Sequence, residues 1–136
     1  MKSHHSTLTR LFSACSLSLM TAAVFAQSPS NPTAACDQLS NLVLADTTIS
    51  STKLVAANTF TPPNSNNTMP LPAFCRLVGV TSPAVNFEVW MPLQNWNGKY
   101  NGVGNGGMAG TISYGAMAGA LRRGYATAST DTAKIL

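Results

Sequence analysis

Histidine is almost absent from this sequence, and the only two, His4 and His5, lie at its very start. The residues after them cannot by themselves assemble a Ser–His or Cys–His catalytic couple, and they cannot form a histidine-ligated metal site. Charged residues make up only 9% of the chain and form no basic run, so neither nucleic acid nor a membrane surface is indicated as a partner. These absences exclude several classes of function before any motif is considered.

The first 26 residues have the pattern of a secretory signal. Lys2 and Arg10 give a basic start, an apolar run follows over residues 11–25, and Val24-Phe25-Ala26 places small residues where cleavage requires them. A membrane anchor is the weaker interpretation, because the run is short and is interrupted by serine and threonine. We therefore predict cleavage after this tripeptide and a secreted or periplasmic protein without a membrane partner. Residues 27–136 then form one partial domain.

Cysteine is also scarce, and the predicted cleavage removes Cys15. The remaining two, Cys36 and Cys75, lie far apart and lack C-x-x-C spacing, so a metal site is poorly supported. In an oxidising compartment an even pair of cysteines is most simply a disulfide. We expect no metal and no cofactor to be bound by this chain.

The pattern before residue 74 predicts little regular structure. Thr33 can cap a short helix, and residues 46–51 are predicted to form a turn in which Ile49 starts extended structure. Residues 53–57 are predicted to form a strand. Residues 61–72 contain four prolines among asparagines and serines, which predicts a loop.

A β-hairpin is the clearest local prediction. Residues 75–80 are apolar and β-branched, Ser82-Pro83 turns the chain, and residues 85–91 alternate with a period of two. This period indicates a strand with one buried face. The alternation sets one group of side chains against another: Val85, Phe87, Val89 and Met91 against Asn86, Glu88 and Trp90.

The last part of the sequence predicts a strand, a glycine-rich turn, a helix and a second strand. The first strand covers residues 99–103, and the helix covers residues 112–123 with Gly124 as its stop. Residues 125–130 are small and apolar enough for a covered, parallel position, which gives one right-handed crossover. Because no helix follows to cover the second strand, we predict an α/β fold with an incomplete sheet.

The glycine-rich turn admits a dinucleotide-binding hypothesis. Gly102-x-Gly104-x-x-Gly107 matches the G-x-G-x-x-G fingerprint, and Asp131 stands where a ribose would bind. Three further residues separate the last glycine from any plausible helix cap, and the crossover follows a hairpin instead of opening the fold. An exported chain is also an unusual place for a nicotinamide enzyme.

The favoured hypothesis is an oxyanion hole. In α/β-hydrolases the loop after the third strand supplies one of its donors. Here the backbone N–H groups of Gly106 and Gly107 would point at an ester oxygen as it gains negative charge, and Gly104 and Asn105 would contact the substrate. A tight turn without chemistry is the simplest alternative. The alternative function is a small exported, disulfide-containing binding or structural domain whose glycine turn holds an anion.

Six stretches of the sequence carry a resemblance to a known family. They are residues 71–76 (LPAFCR), 87–93 (FEVWMPL), 95–100 (NWNGKY), 102–110 (GVGNGGMAG), 114–116 (YGA) and 121–132 (LRRGYATASTDT). With these motifs the sequence resembles the tannase and feruloyl esterase family of secreted α/β-hydrolases. The match breaks at Ala133, where the family pattern continues with a Gly-His pair.

The resemblance implies an N-terminal part of an α/β-hydrolase fold, truncated before the nucleophile elbow. It implies hydrolysis of small aromatic esters, of the gallate or ferulate type, by serine acyl-enzyme catalysis. It also implies pairing of Cys36 with Cys75 and an oxyanion donor from residues 104–107. The family's serine, acid and histidine, and its calcium-holding lid, have no counterpart in these 136 residues. We therefore expect this chain to be inactive alone.

Overall fold

A computed structural model of the chain describes residues 31–104 and 110–131. The predicted signal at residues 1–26 and the middle of the glycine turn, residues 105–109, lie outside the described residues. The elements in chain order are α1 (Pro32–Gln38), a 3₁₀ turn (Leu39–Asn41), β1 (Thr47–Val55), β2 (Phe74–Thr81), β3 (Val85–Pro92), β4 (Tyr100–Val103), α2 (Tyr114–Arg122) and β5 (Ala126–Thr130).

The five strands form one mixed sheet in the order β1-β2-β3-β5-β4. The first three strands are an antiparallel meander, and β2 and β3 form the predicted hairpin in a register from Phe74 opposite Pro92 to Thr81 opposite Val85. β5 enters between β3 and β4, antiparallel to β3 and parallel to β4. The chain therefore returns from β4 through α2 to a strand beside the hairpin, and the handedness of this return stays a prediction.

The first helix begins earlier than the sequence analysis predicted. The cap is Asn31, whose side-chain oxygen accepts the Thr33 N–H at 3.0 Å, so the assignment of the cap to Thr33 was wrong. Pro32 explains the shift, because proline is favoured in the first turn of a helix, where its missing N–H costs nothing.

β1 is longer than predicted and includes most of the predicted turn at residues 46–51. The chain reverses at Asp46, whose φ of 50° lies in the left-handed region, and Thr47 is already paired with Thr81. The first half of β1 is rich in threonine and serine, so it lacks the apolar alternation by which a strand is recognised. β-branched threonine nevertheless suits a pleated strand.

The hydrophobic core lies between the sheet, α2 and the loop that follows β1. Its buried members are Phe60, Leu71, Phe74, Trp90, Met117, Ala118 and Leu121. Trp90 and Phe74 are fully buried, and Phe60 contacts the Trp90 ring edge-on with the centroids 4.8 Å apart. Residues 61–72 are the predicted loop, and this loop carries Leu71 into the core.

The most deeply buried face of β3 is the one that carries Glu88 and Trp90. Val85, Phe87 and Val89, the more uniformly apolar set, are only half-buried on the other face. α2 packs on the Trp90 side and determines which face is deepest, which the alternation of β3 alone does not reveal.

A disulfide joins Cys36 to Cys75, with the Cα atoms 5.7 Å apart, as predicted. It fixes α1 to the start of β2, and both cysteines are buried. Within residues 31–104 and 110–131, no helix has the length and hydropathy to cross a bilayer.

Candidate functional site

The candidate site lies at the edge of the sheet where β4 and β5 end. Because these strands are parallel, their carboxyl ends meet at the same edge. Gly104 directly follows β4, and Asp131 directly follows β5. The other end of the glycine turn, Gly110, returns to this edge, since a Cβ atom built on it would lie 3.5 Å from the Asp131 carbonyl oxygen. Both ends of the turn are therefore held beside the same two strands.

Ser113 ties the two ends of the turn together. Its hydroxyl donates to the carbonyl oxygen of Gly104 at 3.4 Å, and its backbone N–H donates to the Ser129 hydroxyl at 3.1 Å. The first bond joins residues on either side of the turn, and the second joins the turn to β5. Ser113 is also the residue that precedes α2, and its side chain makes no capping bond to that helix.

Of the four residues predicted as oxyanion donors or substrate contacts, the structure places only Gly104. Asn105, Gly106 and Gly107 lie outside the described residues, so the direction of their N–H groups stays a prediction. Among the residues that the structure does describe, no group of three or more histidine, cysteine, aspartate or glutamate side chains could hold a metal ion.

Asp131 is engaged with the opposite strand. Its carboxylate accepts the Asn86 backbone N–H at 2.8 Å and the Asn86 side-chain N–H at 2.6 Å. Its own N–H donates to the Asn86 carbonyl at 2.9 Å. This carboxylate therefore joins the start of β3 to the end of β5. The geometry favours this structural role over the ribose contact of the dinucleotide hypothesis.

A buried carboxylate beneath the site was missed by the sequence analysis. Glu88 is 3% exposed and accepts hydrogen bonds from three side chains. Arg76 donates from Nε at 2.8 Å and again from Nη2, Trp90 donates its indole N–H at 2.9 Å, and Tyr114 donates its hydroxyl at 2.9 Å. The three donors come from β2, β3 and the first residue of α2. We call Glu88 with these three partners the Glu88 cluster.

The charges of the Glu88 cluster reinforce one another. Burial and the adjacent Glu88 carboxylate raise the pKa of Tyr114 from 10.0 to about 12, so its hydroxyl stays protonated and donates throughout the neutral range. The hydrogen bond to Glu88 raises the pKa of the Arg76 guanidinium above its ordinary value. Arg76 also lies over the Phe60 ring, 5.3 Å from its centroid.

One signal in the sequence points to the ion pair. The hairpin register places Arg76 opposite Trp90, so Glu88, two residues earlier on β3, is a diagonal neighbour on the same face. Opposite charges at such positions attract across a sheet. Nothing in the local pattern indicates Tyr114, because it reaches Glu88 from 26 residues further along the chain.

The comparisons with known proteins agree on one class, the esterases. A family model described as tannase and feruloyl esterase matches residues 71–134. An uncharacterised esterase of Xanthomonas campestris is 51% identical over 102 residues, which cover 72% of this chain and 18% of that protein. Feruloyl esterase C of Talaromyces stipitatus is 31% identical over 108 residues, covering 71% and 20%.

The solved structures that resemble this chain are also esterases. Feruloyl esterase B of Aspergillus oryzae has a TM-score of 0.63 at 28% identity, covering 74% of this chain and 22% of that one. A second esterase of Aspergillus oryzae has a TM-score of 0.66 at 21% identity and shows the shared fold alone. This chain belongs to the tannase and feruloyl esterase family. It spans a fifth or less of the length of the curated relatives that it matches.

Proposed function

We propose that this chain is part of a secreted carboxylic ester hydrolase that acts on aromatic esters of the gallate or ferulate type. It supplies the first part of an α/β-hydrolase sheet and the glycine turn, and the remaining catalytic groups come from sequence other than these 136 residues. The observation that supports this most is the position of the turn. Both ends of the glycine turn are held where the parallel strands β4 and β5 end, and the chain matches a family of esterases.

The chemistry that we propose for the turn is oxyanion stabilisation. The N–H groups of Gly106 and Gly107 would donate to the carbonyl oxygen of the ester as negative charge develops on it, and Gly104 and Asn105 would contact the substrate. Removing one such donor typically lowers kcat by about 10²- to 10³-fold. Serine attack and histidine-assisted proton transfer complete acyl-enzyme catalysis in this class.

A chimeric enzyme tests the proposal. The 102 matched residues of this chain replace their counterparts in the Xanthomonas campestris esterase, and the parent enzyme is the reference. We expect hydrolysis of p-nitrophenyl acetate, methyl ferulate and methyl gallate. Turnover of the acetate alone would reject the aromatic substrate class. A folded chimera inactive on all three, beside an active parent, would overturn the proposed esterase function.

A proline substitution in the chimera tests the oxyanion donor. Gly107→Pro removes the backbone N–H, and we expect kcat to fall by about 10²-fold or more. Gly107→Ala keeps the N–H and is the matched control. Equal losses in the two variants would mean that the shape of the turn, and not its N–H group, matters at this position.

The 136-residue polypeptide by itself should not hydrolyse these esters, because its only histidines are His4 and His5. Turnover of methyl gallate or methyl ferulate by the purified polypeptide would contradict this. The alternative, a small exported domain that binds an anion without chemistry, would instead give an anion-dependent rise in melting temperature and no turnover in any context.

A further inference from the structure

The Glu88 cluster joins three separate elements of the fold through one carboxylate. Arg76 alone neutralises the carboxylate through two hydrogen bonds, yet Trp90 and Tyr114 also donate to it. Buried ion pairs are often no more stabilising than apolar side chains of similar volume. The additional donors also connect the carboxylate to the Trp90 ring and to the first residue of α2.

Tyr114 connects the carboxylate to the glycine turn. It is the first residue of α2 and follows Ser113, whose two hydrogen bonds join the ends of the turn to each other and to β5. The Tyr114 ring is stacked near Trp90, with centroids 6.1 Å apart and planes at 26°, and its centroid lies 5.9 Å from that of Phe60. Packing therefore fixes the ring, and Glu88 fixes its hydroxyl.

Apart from the packing of the Tyr114 ring and the bond from the Ser113 N–H to Ser129, the start of α2 lacks a side-chain cap. Ser113 spends its hydroxyl on Gly104 and not on the helix, so α2 begins without a side-chain capping bond. Such a bond commonly stabilises the first turn of a helix. The bond from Tyr114 to Glu88 instead holds the first turn of α2 against β3.

We propose that Glu88 is a positioning residue, which acts through the Tyr114 hydroxyl to hold residues 110–113 in register with the ends of β4 and β5. Residues 110–113 are the second stem of the glycine turn. The proposal rests on the proposed esterase function for its kinetic consequence, and on the described contacts alone for its structural consequence. The two consequences are measured separately.

Tyr114→Phe is the decisive variant, because it removes the hydroxyl and leaves the ring. The matched control is Tyr125→Phe, which removes a hydroxyl at the other end of α2, where the ring lies 5.6 Å from Arg123. Amide hydrogen exchange is followed by NMR in the full 136-residue chain. We expect the Tyr114→Phe variant to exchange about tenfold faster at residues 110–114, with β2 and β3 unchanged.

The same two variants are then compared in the chimeric esterase. Because misplaced groups lower the rate without weakening substrate binding, we expect Tyr114→Phe to lower kcat by about tenfold with KM nearly constant. Tyr125→Phe should leave both constants unchanged. Faster exchange spread evenly over the sheet would mean a purely structural role and would overturn the proposal, as would unchanged exchange at residues 110–114.

These readouts keep the two proposals distinguishable. If the chimera without further substitutions is inactive, the esterase function is rejected, while hydrogen exchange still decides whether Glu88 positions residues 110–113. An active chimera in which Tyr114→Phe leaves kcat unchanged rejects the positioning role and keeps the function. If Tyr114→Phe does not fold, Glu88→Gln, which keeps the side-chain volume, is measured in the same way, and even exchange across the sheet again overturns the role.

Discussion

Replacing Arg76 by methionine should strongly destabilise the fold. The change removes both donors of the guanidinium and leaves the Glu88 carboxylate charged and buried with only neutral donors, those of Trp90 and Tyr114. Removing one partner of a buried ion pair typically costs about 3 to 5 kcal/mol. Because the Arg76 side chain is 25% exposed and that of Glu88 only 5%, we expect a value near the lower end, about 3 kcal/mol.

Urea unfolding of the oxidised 136-residue chain measures this cost. Trp90 is fully buried, so its fluorescence reports loss of the core. With a typical urea dependence for a small domain, a loss of about 3 kcal/mol moves the midpoint down by roughly 2 M. Arg123→Met removes an exposed guanidinium that lies over the Tyr125 ring, and it should cost at most about 1 kcal/mol.

A double variant tests the reason for the cost. Arg76→Met combined with Glu88→Leu removes both charges and leaves mainly the buried Trp90 N–H without its acceptor, a penalty of about 1 to 3 kcal/mol. The double variant should therefore be more stable than Arg76→Met alone. A cost below about 1 kcal/mol for Arg76→Met, or a double variant less stable than the single, would refute this reasoning.

Three further predictions concern the turns, the disulfide and the phenol. Gly124→Ala should cost about 2 kcal/mol or more in urea unfolding, because the φ of Gly124 is +80° and a Cβ would lie 2.5 Å from the Asn95 carbonyl oxygen. Gly119→Ala is the control: it lies inside α2 with only an ordinary contact nearby and should stabilise the chain by up to about 1 kcal/mol. Equal effects of the two substitutions would contradict this. Replacing Cys36 and Cys75 by alanine should cost about 4 kcal/mol for their separation of 39 residues, measured by the same method, and a loss below about 1 kcal/mol would refute the constraint. The pKa of Tyr114 is raised from 10.0 to about 12, so between pH 10 and 12 the folded chain keeps a proton that the unfolded chain loses. The free energy of unfolding should therefore fall by roughly 1 kcal/mol over this range, after allowance for solvent screening. The Tyr114→Phe variant should lack this part of the fall.

Local features of the fold could be predicted from the sequence. The hairpin and the end of α2 at Gly124 depend on residues close together in the sequence. The disulfide was predicted from the even number of cysteines and the expected oxidising compartment. The extent of β1 was not predictable in this way. Its pairing with β2, from Thr47 opposite Thr81 onward, comes from the partner strand and not from its own polar sequence.

The site could be predicted only in part. The glycine turn is visible as a motif, and the structure adds that its two ends are joined by Ser113 and Gly104. The Glu88 cluster depends on contacts between distant parts of the chain, since Tyr114 and Glu88 are 26 residues apart. Periodicity within β3 cannot indicate which face a later helix will cover, so the depth of Glu88 and Trp90 followed only from the structure.

The position of β5 has a consequence for biosynthesis. β3 and β4 follow each other in the chain, but β5, which is made later, lies between them in the sheet. Asn86 can form its hydrogen bonds to Asp131 only after a further 45 residues have been made. During translation the meander of β1 to β3 can assemble first, while β3 exposes an unpaired edge of the kind that promotes aggregation. Chains released by ribosomes that stall between residues 92 and 126 would have this edge of β3 uncovered. Quality-control proteases should degrade these chains faster than chains that include β5.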